Sequence, residues 1–229
     1  MPKNHLKPQK APKTWVIKRK NVRFITRPKP GAHEMSFSMP LNLIFKNILE
    51  KVKTNKELKQ ILHNKEVLVD EKIRKNIRYP AGLMDVIAIP KENKYYRLSI
   101  NELNKICVVE IDKKESNVKL VKVAGKKLLK GGRLQLKTTD GRTMVVKKDE
   151  FKTGDSLLLS LPEQEIKQVL KLEKGAFVLL LKGKHVGKTG FVTEINNEVI
   201  KLKNSEIEFE TNKHYAIVIG KDKSVIKLK

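Results

Sequence analysis

The chain has 229 residues, with 50 lysines and arginines against 25 aspartates and glutamates, a formal net charge of +25. A surface that basic draws polyanions and binds them with steep salt dependence, because each phosphate neutralised releases condensed counterions. The longest unbroken apolar run, Ala176 to Leu181, is far short of the roughly 20 residues a helix needs to cross a bilayer, and the single Cys107 excludes an intrachain disulfide or a cysteine zinc site.

Residues 1–38 read as an extended basic arm. Ten of the first 33 residues are basic, and the first carboxylate is Glu34. Such a segment has too little apolar area to offset its chain entropy and its like charges repel, so it is expected to order only against a dense polyanion, RNA above all. There is no apolar stretch of the secretory type, and Pro2, Pro8, Pro12, Pro28 and Pro30 oppose the amphipathic helix of a mitochondrial presequence. The chain is therefore expected to be cytoplasmic. Trp15 and Phe24 interleave with the cations, either to stack on bases or to dock the arm on the protein's own body.

Residues 39–94 read as a small α+β unit. Leu41, Ile44, Phe45, Ile48, Leu49 and Val52 recur at helical spacing, which predicts a helix with one buried stripe between Pro40 and Val52. Thr54 and Glu57 form an S/T-x-x-E capping box ahead of Leu58, Ile61 and Leu62, and this second helix should end near His63 and Asn64. EVLVDEKIRKN predicts two short strands around a turn at Asp70 and Glu71. YPAGLMDVIAIP predicts a loop at Pro80 to Gly82 followed by a strand.

From Tyr95 helical periodicity fades, and short alternating runs (YYRLSI, KICVVEI, VKLVKV, RLQLKT, RTMVVK, SLLLSL) are separated by Gly131-Gly132, Asp140-Gly141 and Gly154-Asp155. This predicts a central barrel-like β domain over 95–170, with Asp140-Gly141 as a tight hairpin turn and PEQEIKQVLKLE, 162–173, as a short joining helix. Residues 171–229 alternate again in FVLLL, GFVTEI, EVIKLK, EIEFE, HYAIVIG and SVIKLK, five or six strands that fit a small closed barrel without exposed edges. The fold class is thus multidomain and mainly β, with one small α+β module.

No constellation of residues carries catalysis. GKHVGKTG, 183–190, lacks a glycine five residues before the Gly-Lys-Thr, where Lys182 stands, and leads into a strand pattern where a phosphate-binding loop needs a helix. It reads instead as a glycine-punctuated loop carrying Lys182, Lys184, His185 and Lys188. The five histidines are scattered without ligand spacing, Cys107 in KICVVEID reads as a small buried hydrophobe, and no cofactor is expected. Residues 51–78 hold nine basic residues against four acids, which marks a second cationic region. Since 42 of the 50 basic residues are lysines, contact with phosphate is favoured over reading of bases. The candidate RNA-contacting residues are Lys7, Lys10, Lys13, Trp15, Lys18, Arg19, Lys20, Arg23 and Arg27 in the arm. The helical unit adds Lys56, Lys59, Lys72, Arg74, Lys75 and Arg78, and the late loop the four residues named above.

Several strings also resemble a known family. The two-helix unit with EVLVDEKIRKNIRYPAGLMDVIAI resembles an alpha-L RNA-binding motif, and GAFVLLLKGKHVGKTGFVTEI resembles a KOW motif in an SH3-like barrel, with its glycine at Gly187. Their order, with TRPKPGAH, GGRLQLKTTDGR and TGDSLLLSLPEQEI, is similar to the small-subunit ribosomal protein family S-four-e of archaea and eukaryotes. The arm follows that family's opening pattern at His5, Lys7, Pro12, Trp15 and Ile17 and departs from it at Pro8 and Gln9. The resemblance implies a non-catalytic structural protein of the small ribosomal subunit. Its implied partners are small-subunit ribosomal RNA and neighbouring ribosomal proteins, with no membrane, no small-molecule substrate and no homo-oligomer. Two rival readings are a transient translation or transcription factor using the KOW barrel, and an accessory RNA-modifying enzyme.

Overall fold

Every one of the alternating runs between Tyr95 and Ser160 forms a strand, and the computed structural model of the chain is mainly β with few helices. It describes residues 5–20, 22–146, 149–204, 208–221 and 223–228. Lys3 of the arm, Lys147 at the end of RTMVVK, and Glu206 and Ile207 of EIEFE lie outside these. The chain divides into two compact units, Met1–Ile100 with Asn104–Asn117, and Asn101–Leu103 with Val118–Lys229.

In the first unit the helix Asn55–His63 starts where the capping box placed it. The Thr54 hydroxyl accepts from Glu57 N at 3.2 Å while the Glu57 carboxylate accepts from Thr54 N, and Leu58 and Leu62 are fully buried. Upstream, the expected long helix is a single α-helical turn, Leu41–Leu43, continued by a π-helical turn, Ile44–Ile48, closed by Leu49 N donating to Ile44 O at 2.9 Å. The apolar stripe holds although the helix is shorter and wider, since Leu41, Ile44, Phe45 and Val52 all enter the core. Leu68–Val69 and Lys72–Ile73 form the expected hairpin. Its two turn residues, Asp70 and Glu71, have φ of 51° and 60°, the mirror-image turn that matches strand twist.

Two boundaries shift. Pro80–Gly82 is not a loop but a buried strand, paired with Ser38–Pro40 in the register Met39↔Ala81. The close of the arm is therefore tied into the first unit. At Gly82 an added Cβ would fall 2.1 Å from the His33 ring, so only glycine lets the arm lie there, and His33 Nε2 is 2.9 Å from Asp85 Oδ1. The main sheet runs in the order Lys72–Ile73, Leu68–Val69, Val86–Ile89, Lys94–Ile100, Ile106–Ile111, so a division at 94/95 would cut through it. Arg97 is buried on this sheet with its guanidinium on the Glu115 carboxylate and main-chain oxygen.

The second unit contains two antiparallel five-stranded sheets. The first runs Thr143–Val146, Leu134–Thr138, Val118–Leu128, Ser156–Ser160, Ile166–Leu170. Asp140-Gly141 makes the predicted turn, with Gly141 at φ 75° and the Asp140 carboxylate 3.1 Å from Lys119 Nζ and 2.8 Å from Arg142 Nε. Burial alone would raise the Asp140 carboxyl, yet Lys119, Thr138 and Arg142 together hold it below its ordinary value.

The expected helix at 162–173 is instead the strand Ile166–Leu170. Ser156–Ser160 is buried along its whole length, so its backbone needs a ladder on both sides. Pairing Leu157↔Val169 supplies the second ladder, and Ile166 and Val169 pack on the core, outweighing a weak helical preference. The second sheet runs Glu208–Asn212, Val199–Lys203, Thr189–Asn196, Phe177–Leu180, Ala216–Gly220. Among the described residues SVIKLK adds no sixth strand, only a bridge from Gly220 to Ser224. Ser156 Oγ, on the first sheet, accepts from Val218 N on the second at 2.9 Å.

Candidate nucleic-acid interface

The arm is ordered against its own protein, which corrects the expectation that only a polyanion would order it. His5–Leu6 pairs with Ile25–Thr26, and Ile106 N donates to Thr14 O at 2.8 Å. Trp15 is 1% exposed, in the same core as Phe45 and Leu58, and its indole N–H donates to Ser38 O at 2.8 Å. No ring face is left for a base, so of the two roles open to Trp15 it takes the anchor. The count of the arm's own apolar residues missed this, because the missing apolar area is lent by the body.

Arg19 also turns inward. Its guanidinium donates to Pro8 O at 2.8 Å, Pro12 O at 2.9 Å and Ala11 O at 3.2 Å, folding the arm's first half around itself. Five-donor planar geometry suits that task. Lys7, Lys10, Lys13, Lys18, Lys20 and Arg23 are exposed, while Arg27 is half-buried with its carbonyl accepting from Arg78 Nε at 2.9 Å. Lys7, Arg19, Lys20 and Arg23 surround a cavity of about 490 Å³. The distribution separates one inward cation from a ring of outward ones.

In the helical region Lys56 and Lys59 lie exposed on Asn55–His63, and Lys72 and Lys75 are exposed at and after the hairpin. Arg74 is half-buried, its guanidinium 4.3 Å from the centroid of the Tyr79 ring. Arg74 and Lys75 share a concavity of about 510 Å³ with Lys65, one of the nine basic residues of this region, and with Tyr79, on which charge and composition are silent. Lys65 sits at φ 61° just past the helix, and that turn aims it back toward Arg74's side of the hairpin. A lysine directly after a helix-terminal Asn64 was the available signal.

The late loop joins Phe177–Leu180 to Thr189–Asn196, two antiparallel strands, with no helix following. Gly187 at φ 77° is required twice over, since a Cβ there would meet the Asn101 backbone at 2.3 Å. Lys182 and Lys184 are exposed and Lys188 half-buried. His185 differs from its neighbours. Its ring stacks on Phe209 at 4.6 Å and 26°, and burial, with Lys188 and Lys184 nearby, pushes its pKa below the ordinary value. It is a neutral aromatic ledge among lysines rather than a further cation.

Over 99% of its length the chain is 40% identical to the small ribosomal subunit protein eS4 of Methanosphaera stadtmanae, covering 96% of that protein. It is also 40% identical to the eS4 of Methanocaldococcus jannaschii, over 99% of this chain and 98% of that one. The chain belongs to the S4e family. The profile of ribosomal family S4e matches residues 92–166, and that of the RS4NT domain residues 1–36. The crystal structure of the 30S ribosomal protein S4e from Thermoplasma acidophilum is similar to it with a TM-score of 0.70 at 30% identity, covering 80% of this chain and 95% of that one. The family read from the sequence strings is therefore the family shown. In this S4e chain the stretch matched as RS4NT is the stretch that Trp15 and Arg19 dock and brace.

Proposed function

We propose that this chain is a structural, non-catalytic constituent of the small ribosomal subunit that binds ribosomal RNA and supports subunit assembly and translation in the cytoplasm. The observation that carries the reading is near-full-length identity to small ribosomal subunit proteins in a chain whose basic arm is already braced with its lysines outward. The RNA-facing set is Lys7, Lys10, Lys13, Lys18, Lys20 and Arg23 on the arm, and Lys56, Lys59, Lys72, Arg74 and Lys75 in the helical region. Lys182, Lys184 and Lys188 complete it on the late loop. The helix Asn55–His63 with its hairpin serves as the alpha-L motif, and the last five strands as the KOW barrel. Lysine-rich surfaces of this kind neutralise phosphate and let RNA helices approach, while rigid strands hold the cations in fixed relative positions. Neighbouring ribosomal proteins are the other partners, and the chain acts as a single copy.

Deleting the arm would not test this cleanly, because the cut would expose the core that Trp15 fills. Changing Lys7, Lys10, Lys13, Lys18 and Lys20 to glutamine leaves the anchor intact. The expected result is weaker binding to small-subunit RNA, with the slope of log affinity against log salt reduced by about 0.7 to 0.9 for each phosphate contact removed. An unchanged slope refutes the arm's role. Release of the native chain from small subunits washed at moderate salt refutes its place as a structural component.

A further inference from the structure

A cleft of about 530 Å³ lies between the arm and the helical segment 41–48, within the first unit. On the arm side Val16, Val22 and Phe24 line it, and these are 38%, 51% and 42% exposed, a concentration of uncovered apolar surface in an otherwise polar strand of chain. On the body side is Asn42, only 3% exposed. Its amide N–H donates to Thr26 Oγ1 at 2.5 Å, and its Oδ1 has no donor. A buried acceptor without a donor is costly enough that it is rare in a native protein unless something outside the chain completes it.

We propose that this cleft is a pocket for one unpaired nucleobase, held by the Asn42 amide oxygen and stacked against the Phe24 ring; the inference rests on the RNA-binding reading above. The polar floor selects the ligand class. An orphan acceptor repels a phosphate and accepts from an N–H. Thr26 Oγ1, which receives the Asn42 N–H, keeps its own hydrogen to donate. Acceptor and donor stand side by side, and each nucleobase presents an N–H next to an acceptor on its pairing edge. Phe24 supplies the aromatic surface, with Arg23 over the ring at 5.4 Å and His5 meeting it edge-on at 4.5 Å. Lys18 and Lys46 line the same cleft and suit the phosphates on either side of an inserted base, with Glu50 as the carboxylate of the lining. Asn47 Nδ2 donates to Val16 O at 3.1 Å and so holds the arm across the body, and the entering base uncovers the Asn42 amide oxygen, which lies covered at the floor.

The test uses the full chain and two fluorescently labelled RNA heptamers of equal charge, one abasic throughout and one carrying a single central adenosine. The adenosine heptamer should bind about tenfold more tightly, the scale of one base stacked on an aromatic ring. Phe24→Ala should reduce that advantage to under twofold while leaving the all-abasic affinity unchanged. Asn42→Leu, which removes the orphan acceptor at similar volume, should do the same. Phe24 is exposed, so its variant remains decisive if Asn42→Leu fails to fold. Equal binding of the two heptamers by the native chain overturns the pocket and leaves the RNA reading standing, as does an advantage that survives in Phe24→Ala. Failure to bind either heptamer at low salt overturns the RNA reading, and the pocket with it.

Discussion

The arm and the loop at 181–188 both present lysines to solvent, and each is braced behind by a cation turned the other way. In the arm the brace is Arg19, half-buried, gathering the carbonyls of Pro8, Ala11 and Pro12. Behind the loop it is Lys122. Leu181 N donates to Tyr215 O at 2.8 Å, and the segment carrying Tyr215 is held by Lys122 Nζ, which donates to Lys213 O and His214 O at 3.1 Å and to Ala216 O at 2.5 Å. Arg19 works beside solvent. Lys122 is 5% exposed, and burial, with Lys213 adding repulsion, brings its pKa from 10.5 down to about 8. A basic composition therefore conceals two populations of cation, one that shapes the protein and one turned to solvent.

Trp15→Ala should be the most damaging way to break the arm's side of this arrangement. It empties a filled core site and strips two carbonyls of their indole donor, and should destabilise by about 3 to 5 kcal/mol in urea unfolding. A loss below about 1 kcal/mol would mean the arm is not part of the first unit's core.

Lys122→Met sharpens the loop's side. Three carbonyls lose a charged donor, at a cost of about 2 to 3 kcal/mol at neutral pH. The pH profile isolates the group. Because the folded form releases this proton near pH 8 while the unfolded chain keeps it to about 10.5, the unfolded state binds more protons in that window and stability rises with pH through it. The native chain should gain stability relative to Lys122→Met between pH 7.5 and 10. A constant difference would remove the buried ammonium from the explanation.

The smallest stability effects belong to the outward population. Lys20→Gln in the arm and Lys184→Gln in the loop, both exposed, should each shift the unfolding free energy by less than about 0.5 kcal/mol while weakening RNA binding. A larger stability loss in either would move that residue to the structural class.

Local chemistry made much of this fold legible. Thr54 and Glu57 announced a helix start that the structure reproduces atom for atom, and Asp140-Gly141 announced a turn. These are signals whose partners lie within three or four residues. Ile166–Leu170 reads locally as helix because its reason for being a strand is the buried Ser156–Ser160, which needs a second ladder. The arm reads as ordered only by a polyanion because Trp15's partners, Met35 and Ser38, lie 20 and 23 residues away. Within the candidate interface, composition located the basic regions, Lys65 among them, but not the concavity in which a turn and a hairpin bring Lys65 and Tyr79 beside Arg74.

By itself, the sequence determined the sign and density of the charge, the predominance of strands, the helix cap and hairpin turns, and the S4e kinship, because each is written in composition or in short-range pattern. Only the tertiary structure decided which cations face inward, that Trp15 fills a core, and that Asn42 keeps an unpaired acceptor at the floor of a cleft. Those outcomes depend on which distant segments supply apolar cover and hydrogen-bond partners, and charge along the chain is blind to that.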